Sequence, residues 1–259
     1  MSRDRRLEAA MPWLVTIGIF VVWELTVIAF DMPEFVLPRP TVVWQAFLEF
    51  RGPIMGHALH TLYTTVAGFA FAVVGGVLLG VAVGSSVLVY NGLYPVLIGF
   101  NSIPKVAIVP VLVVWFGIGA VPAIITAFLI SFFPIAVNVA TGLATLEPEL
   151  EDVLRSLGAK KRDILIKVGL PRSAPYFFAS LKVAITLAFV GSVISETVAS
   201  NEGIGYLMLQ ASSRFQIPLV FAGLIVIAVM GVVMYAVFAL IERRFTGWAT
   251  RKIEYATGS

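Results

Sequence analysis

The sequence predicts an all-α membrane protein of six transmembrane helices, with one sizeable polar loop on the same side as both termini. Composition is the first reason: of 259 residues, 59% are hydrophobic and 13% charged, against about 25% charged in soluble domains. Mean hydropathy is +0.96. The second reason is that no charged side chain occurs over 52–103, 106–146 or 215–241. About 20 apolar residues cross a bilayer as a helix, so the first two stretches can each supply two crossings. The third is the placement of Lys and Arg, which divides the connecting segments into a basic and a non-basic set.

The first span covers about 12–30, after a basic start of Arg3, Arg5 and Arg6. Its apolar part is too long for a signal-peptide core, carries Glu24 and has no small-residue cleavage site behind it, so it reads as a retained helix. Pro38-Arg39-Pro40-Thr41 follows, then 42–50 with Trp44, Phe47 and Leu48, a short amphipathic helix for the membrane interface. The second span, 59–84, places Gly68, Ala72, Gly76, Gly80 and Gly84 at every fourth position. Small residues in such a row let a neighbouring helix approach closely, which is how helices associate in lipid. The third span, 88–116, has a polar first half (Tyr90, Asn91, Tyr94, Asn101) that fits the interface, with a crossing that starts near Pro104. Pro95, Pro104, Pro110, Pro122 and Pro134 interrupt the third and fourth spans, the latter at 120–141. Each removes a backbone donor and permits a kink. The fifth and sixth spans are 175–199 and 217–240. Residues 1–58 thus form an N-terminal helix plus interfacial helix, 59–245 a core and 246–259 a tail.

Orientation follows from the basic residues. With the N-terminus inside, thirteen Lys and Arg are cytosolic: Arg3, Arg5 and Arg6, six in the loop after span four, and Arg243, Arg244, Arg251 and Lys252 in the tail. Only Arg39, Arg51 and Arg214 lie outside, with Lys105 and Lys182 left near span ends and Lys182 expected to snorkel to the cytosolic face.

The loop Glu147–Ala174 is the one large cytosolic insert. Pro148 suits a first helical position, and Glu149, Glu151 and Asp152 complement the helix dipole. Leu150, Val153, Leu154 and Leu157 recur at i, i+3, i+4, i+7 on one face, and Gly158 is placed to stop the helix. So short a helix is marginal alone, and its apolar face needs a cover from the membrane surface or from another subunit.

This loop resembles the signature of bacterial importer permeases of the ATP-binding-cassette class: a Glu-Ala-Ala triplet, a Gly four positions on, then nine residues before Ile-x-Leu-Pro. Here Asp152-Val153-Leu154 takes the triplet's place, Gly158 the glycine's, and Val168-Gly169-Leu170-Pro171 follows after nine residues. The departures are Asp for Glu and Val-Leu for Ala-Ala. PKVAIVPVLVVWFGIG (104–119), ISETVASNEGIGYL (194–207) and Leu-Pro-x-Pro at 37–40 look like stretches of the nitrate, taurine and alkanesulfonate import permeases. The resemblance implies a type I importer permease fold in a bacterial cytoplasmic membrane. It also implies two permease subunits, two ATPase subunits on the coupling helices and an external solute-binding protein. Leu150, Asp152, Val153, Leu154, Leu157, Gly158, Leu170 and Pro171 become the ATPase-coupling residues. A homodimer is favoured over pairing with a different permease, and the solute is expected to be small and anionic, with an aromatic or vitamin-precursor molecule as the alternative.

Two absences agree. The chain has no G-x-x-x-x-G-K-[ST], so ATP and its Mg belong on a partner and no cofactor is expected here. No external segment is long enough for a binding domain, and nothing suggests nucleic acid. Glu196 in span five is the costliest side chain in the membrane, expected to bond Asn201 or backbone amides in a structural or gating role. Ser131, Asn138 and Ser192 are candidates to line a polar pathway beside it. Glu24 is expected to serve as an interior hydrogen-bonding group. His57 and His60 share a helix face without a third ligand, and Cys is absent, so no metal site is expected. A secondary transporter, for which an internal repeat would speak, and an intramembrane enzyme, for which paired acids or G-x-S-x-G would, are the less favoured readings.

Overall fold

A computed structural model describes the backbone of residues 3–84, 86–144 and 148–254, and side chains over 10–246 except 87, 144, 148–151, 161, 162, 165 and 170. Glu147, where the polar loop begins, and the side chains of Leu150 and Leu170 lie outside the described residues. Every described regular element is helical: α1 Arg3–Ala29, α2 Pro40–Glu49, α3 Arg51–Gly84, α4 Val87–Ser102, α5 Val109–Phe116, α6 Ala120–Ala144, α7 Pro148–Ser156, α8 Lys161–Ile164, α9 Leu170–Ala199, α10 Ile204–Ser213 and α11 Ile217–Glu254. Among the described residues five helices are long and apolar enough to cross a membrane, and the α4–α5 pair, bent by 73°, passes the same test as a broken span or a re-entrant loop.

The core is α3, α6 and α9, with α11 against the outer side of α9. α3 and α6 run parallel, because Gly68 meets Ala127, Gly76 meets Ile135 and Gly80 meets Val139 in one register. The small-residue row is what brings the two backbones together. A Cβ on Gly68 would stand 2.5 Å from Ala127 Cβ, and one on Gly80 would stand 2.7 Å from Ala136 O. Phe69, Phe132, Ile135, Leu181, Ile185 and Phe189 fill the remaining space. α9 returns antiparallel, so its C-terminal end lies beside the start of α3 and its N-terminal end beside the end of α6, where Gly142 accepts Ser173. The Glu147–Ala174 loop and α10 are therefore at opposite ends of the bundle.

The third span differs from an uninterrupted 88–116 helix. Ile103 and Pro104 are extended, Lys105–Ile108 is a 3-10 turn, and only then does α5 begin. A Pro at 104 disfavours helix at residue 103, which places the break. The eight residues of α5 rise only about 12 Å, so the stretch after Pro104 is too short to cross alone. Span five begins at Leu170, five residues before 175, because Pro171 fits the first turn and Pro175 is carried within the helix. The sixth span likewise continues past 240, and the first part of the tail stays helical to Glu254.

α2 begins at Pro40, and its start is held from α1. The Thr41 N–H and hydroxyl donate to the two Glu24 carboxylate oxygens at 3.1 and 3.0 Å. The carboxylate thus caps a helix N-terminus, where negative charge is favoured.

Candidate functional site

The polar loop builds from its first helix. α7 ends in a Schellman arrangement: the Gly158 N–H donates to Arg155 O at 2.9 Å and the Ala159 N–H to Leu154 O at 3.0 Å. That closure needs a left-handed residue, and Gly158 sits at φ +86° with nothing within 4 Å of a built Cβ. The constraint is thus on the backbone and not on space. The chain turns at Lys160, whose carbonyl accepts the N–H groups of Asp163 and Ile164. α8, a π-helical turn over Leu165–Gly169, and α9 then follow end to end. Ile164 is buried, anchoring the turn.

On α7 the apolar residues separate into two roles. Leu154 is half-buried and lines a shallow hollow of about 280 Å³ with Leu157, Ala159, Ile164 and Val168. Val153 projects outward, and Leu157, at the rim of the hollow, keeps 78% of its surface exposed. Asp152 is exposed beside them, and Pro171 lies in the first turn of α9.

At the other end stands the Glu196 cluster. Glu196 is 1% exposed. The Thr61 hydroxyl donates to its Oε2 at 2.8 Å, and the Gly205 N–H donates to the same oxygen at 3.2 Å. Thr64 and Ser192 hydroxyls reach Oε1 at 3.3 and 3.4 Å and lie 2.5 Å from each other. Thr61 Oγ1 also accepts the Ile204 N–H at 2.9 Å. The carboxylate therefore ties α3, α9 and the start of α10 into one knot. Two histidines of α3 extend it. His57 Nδ1 accepts the Gly203 N–H at 3.0 Å, and His60 Nδ1 lies 2.7 Å from Glu202 Oε2. Gly203 has φ +101°, and a Cβ there would come 2.1 Å from the Glu196 carboxyl carbon. Only glycine fits so close an approach in that conformation.

Of the expected partners of Glu196, the backbone amide is present and Asn201 is not, because Asn201 is exposed where the chain turns away. Thr61 and Thr64 were not anticipated. Their spacing of three on one face of α3, level with the acid, was the available signal. Ser131 is fully buried with its hydroxyl on Ala127 O at 2.6 Å, and half-buried Asn138 donates to Pro134 O at 2.8 Å. Of the four polar residues Ser131, Asn138, Ser192 and Glu196, the first two are thus bonded within α6 and the last two within the knot.

Lys182 pairs with Glu242 of α11, both side chains about a fifth exposed. Opposite charges inside a membrane pair with each other because each alone is costly. Lys182→Met strands Glu242, an expected loss of about 3 kcal/mol, read as a lower unfolding midpoint of the solubilised protein. Lys182→Met with Glu242→Met should recover most of it; a double variant as unstable as the single would refute the pairing.

Comparison with known proteins gives the chain its place. It is 28% identical to the formylaminopyrimidine transport permease ThiX of Halalkalibacterium halodurans, over 96% of this chain and 99% of that one. It is 27% identical to the taurine transport permease TauC of Escherichia coli K12, over 88% and 85%. Its fold matches a structure of the MetNI methionine ABC transporter in an inward-facing conformation, TM-score 0.65 at 20% identity, over 73% of this chain and 94% of that one. Residues 72–247 match the family model for the inner membrane component of binding-protein-dependent transport systems. That stretch holds α6, the polar loop, α9 and α10 together, and the chain belongs to this family of ATP-binding-cassette transporter permeases.

Proposed function

We propose that two copies of this chain form the transmembrane pathway of an importer for a small anionic solute, with two ATPase subunits docked on the two α7 helices. Both termini and the Glu147–Ala174 loop face the cytosol, and an external binding protein delivers the solute to the α10 end. ATP and Mg are held by the ATPase subunits.

The observation that carries the reading is α7. It is a nine-residue helix with a built stop, leaving Val153 and most of Leu157 exposed while Leu154 leans on its own loop. An apolar face of that kind suits a groove in a partner subunit, the helix-in-groove mode of recognition. The thirteen-to-three distribution of basic residues supports the orientation. The taurine permease among the relatives supports a sulfonate-bearing solute. A heteroaromatic solute is the second reading, favoured by the formylaminopyrimidine permease.

Orientation and stoichiometry can be tested together. The chain has no Cys, so Lys161→Cys gives a single labelling site. An impermeant thiol reagent should label it in inside-out vesicles and leave it untouched in intact cells; labelling of intact cells reverses the topology. Native mass spectrometry of the purified complex should find two copies of this chain with two ATPase subunits. One copy beside a different permease rejects the homodimer.

A further inference from the structure

Lys105 is the only charged residue between Arg51 and Glu147. It sits in the break of the bent span, at the start of the 3-10 turn between α4 and α5. The level of that break follows from its neighbours. Phe100, next to Asn101, packs its ring on Phe132 at 6.3 Å, and Phe132 is the middle residue of α6. The ammonium reaches Asn101 O and Asn101 Oδ1, each at 2.6 Å. It is therefore held level with the middle of α6, and within a bilayer a positive charge at that level is costly unless it faces a water-filled cavity or an opposite charge.

Among the described residues no carboxylate pairs with it. Closing the α4 C-terminus accounts for two of its three N–H donors, and the third has no acceptor from the described chain. Ile103 and Val106 on either side are exposed, as is Asn101. Tyr90, Tyr94 and Asn101 fall on one face of α4 at i, i+4 and i+11, leading along the helix to the break. If Lys105 only capped the helix, a neutral amide would do so at less cost in this setting.

We propose that Lys105, held by Asn101, is an anion-binding station halfway along the translocation pathway, taking the carboxylate, sulfonate or similar anionic group of the solute. This rests on the reading of the chain as an importer permease for an anion. Asn101 aims the ammonium and leaves one donor for the passing solute. The attraction to a single, partly occupied ammonium is weak enough for release toward the far side.

The labelling arm of the test needs no knowledge of the solute, and the uptake arm uses taurine as the probe anion. A single Cys is placed at Val106 in the intact transporter, in membranes of cells that make all its subunits. Two thiol reagents of similar size are compared, anionic sulfonatoethyl and cationic trimethylammonioethyl methanethiosulfonate, each rate normalised to that of a free small thiol. The anionic reagent should react about tenfold faster. Lys105→Gln should bring the two rates together, and Lys105→Arg should keep them apart. High salt should shrink the difference in the Lys105 chain itself, so the proposal stays open to refutation if the Gln variant fails to assemble. It is overturned if neither reagent reaches Val106→Cys or Ile103→Cys while Leu157→Cys reacts. A charge preference unchanged by Lys105→Gln, or by salt, overturns it equally. An anion preference without ATP-dependent uptake would sink the importer reading and leave the site; uptake without the preference would do the reverse.

Discussion

Leu157→Asp should abolish co-purification of the ATPase subunit and ATP-dependent uptake while leaving membrane abundance of the chain normal. Leu157 is 78% exposed at the end of α7, so nearly all of its side chain is available to a partner. Its burial contributes roughly 1.5–3 kcal/mol, and an unpaired carboxylate in its place costs about 2 kcal/mol or more besides. A total near 4–5 kcal/mol weakens docking about a thousandfold or more, at about 1.4 kcal/mol per tenfold. Leu154→Asp is the informative companion. Leu154 lines the loop's own hollow, so that change should also loosen the turn and lower the thermal midpoint of the permease by itself. Wild-type uptake in Leu157→Asp would remove α7 as the coupling element.

Glu196→Ala should release the segment from Ser200 to Arg214 from the end of the bundle. The Gly205 N–H loses its acceptor at a site with almost no access to water, and the Thr61 hydroxyl is left with His57 O at 3.1 Å. Each buried group left unpaired costs about 1–3 kcal/mol, and the truncated side chain leaves a void. An overall loss of about 4 kcal/mol or more follows. It should appear as faster amide exchange over 204–213 and as a new proteolytic site near 200–203. Glu196→Gln keeps the shape and one acceptor oxygen, and its amide can donate to the Thr64 and Ser192 hydroxyls, so the loss should be a fraction of that. Gly203→Ala should resemble Glu196→Ala, because its methyl occupies the carboxylate's position and its φ of +101° strains any Cβ. Exchange over α10 that is the same in Glu196→Ala as in the parent chain would show that the carboxylate does not hold the segment.

Much of this was legible before any fold was seen, and the reasons are local. An apolar run either is or is not long enough to cross lipid, and backbone groups in lipid must bond within their own helix. The segments able to span are therefore legible from composition. The helix α7 of the polar loop was legible for a similar reason: its proline start, acidic first turn, apolar face and glycine stop are neighbours along the chain. The small-residue row of α3 announced a close helix contact. α10 carries Ile204, Leu207, Met208 and Ala211 at i, i+3, i+4, i+7 behind a glycine, so a signal existed there too, but it is too short to count as a span.

What the sequence determined by itself is thus the helical class, the crossing segments and the chemistry of each exposed turn, because those depend on energies settled between residue, water and lipid. What only the tertiary structure decided is partnership. α6 and not another span takes the Gly68–Gly84 row; Thr61 and Thr64, more than 130 positions away, satisfy Glu196 at Oε2 and Oε1; Lys182 meets Glu242. In a low-dielectric interior a polar group must find a partner wherever packing brings one. Packing depends on all helices at once, and no window of sequence contains that choice.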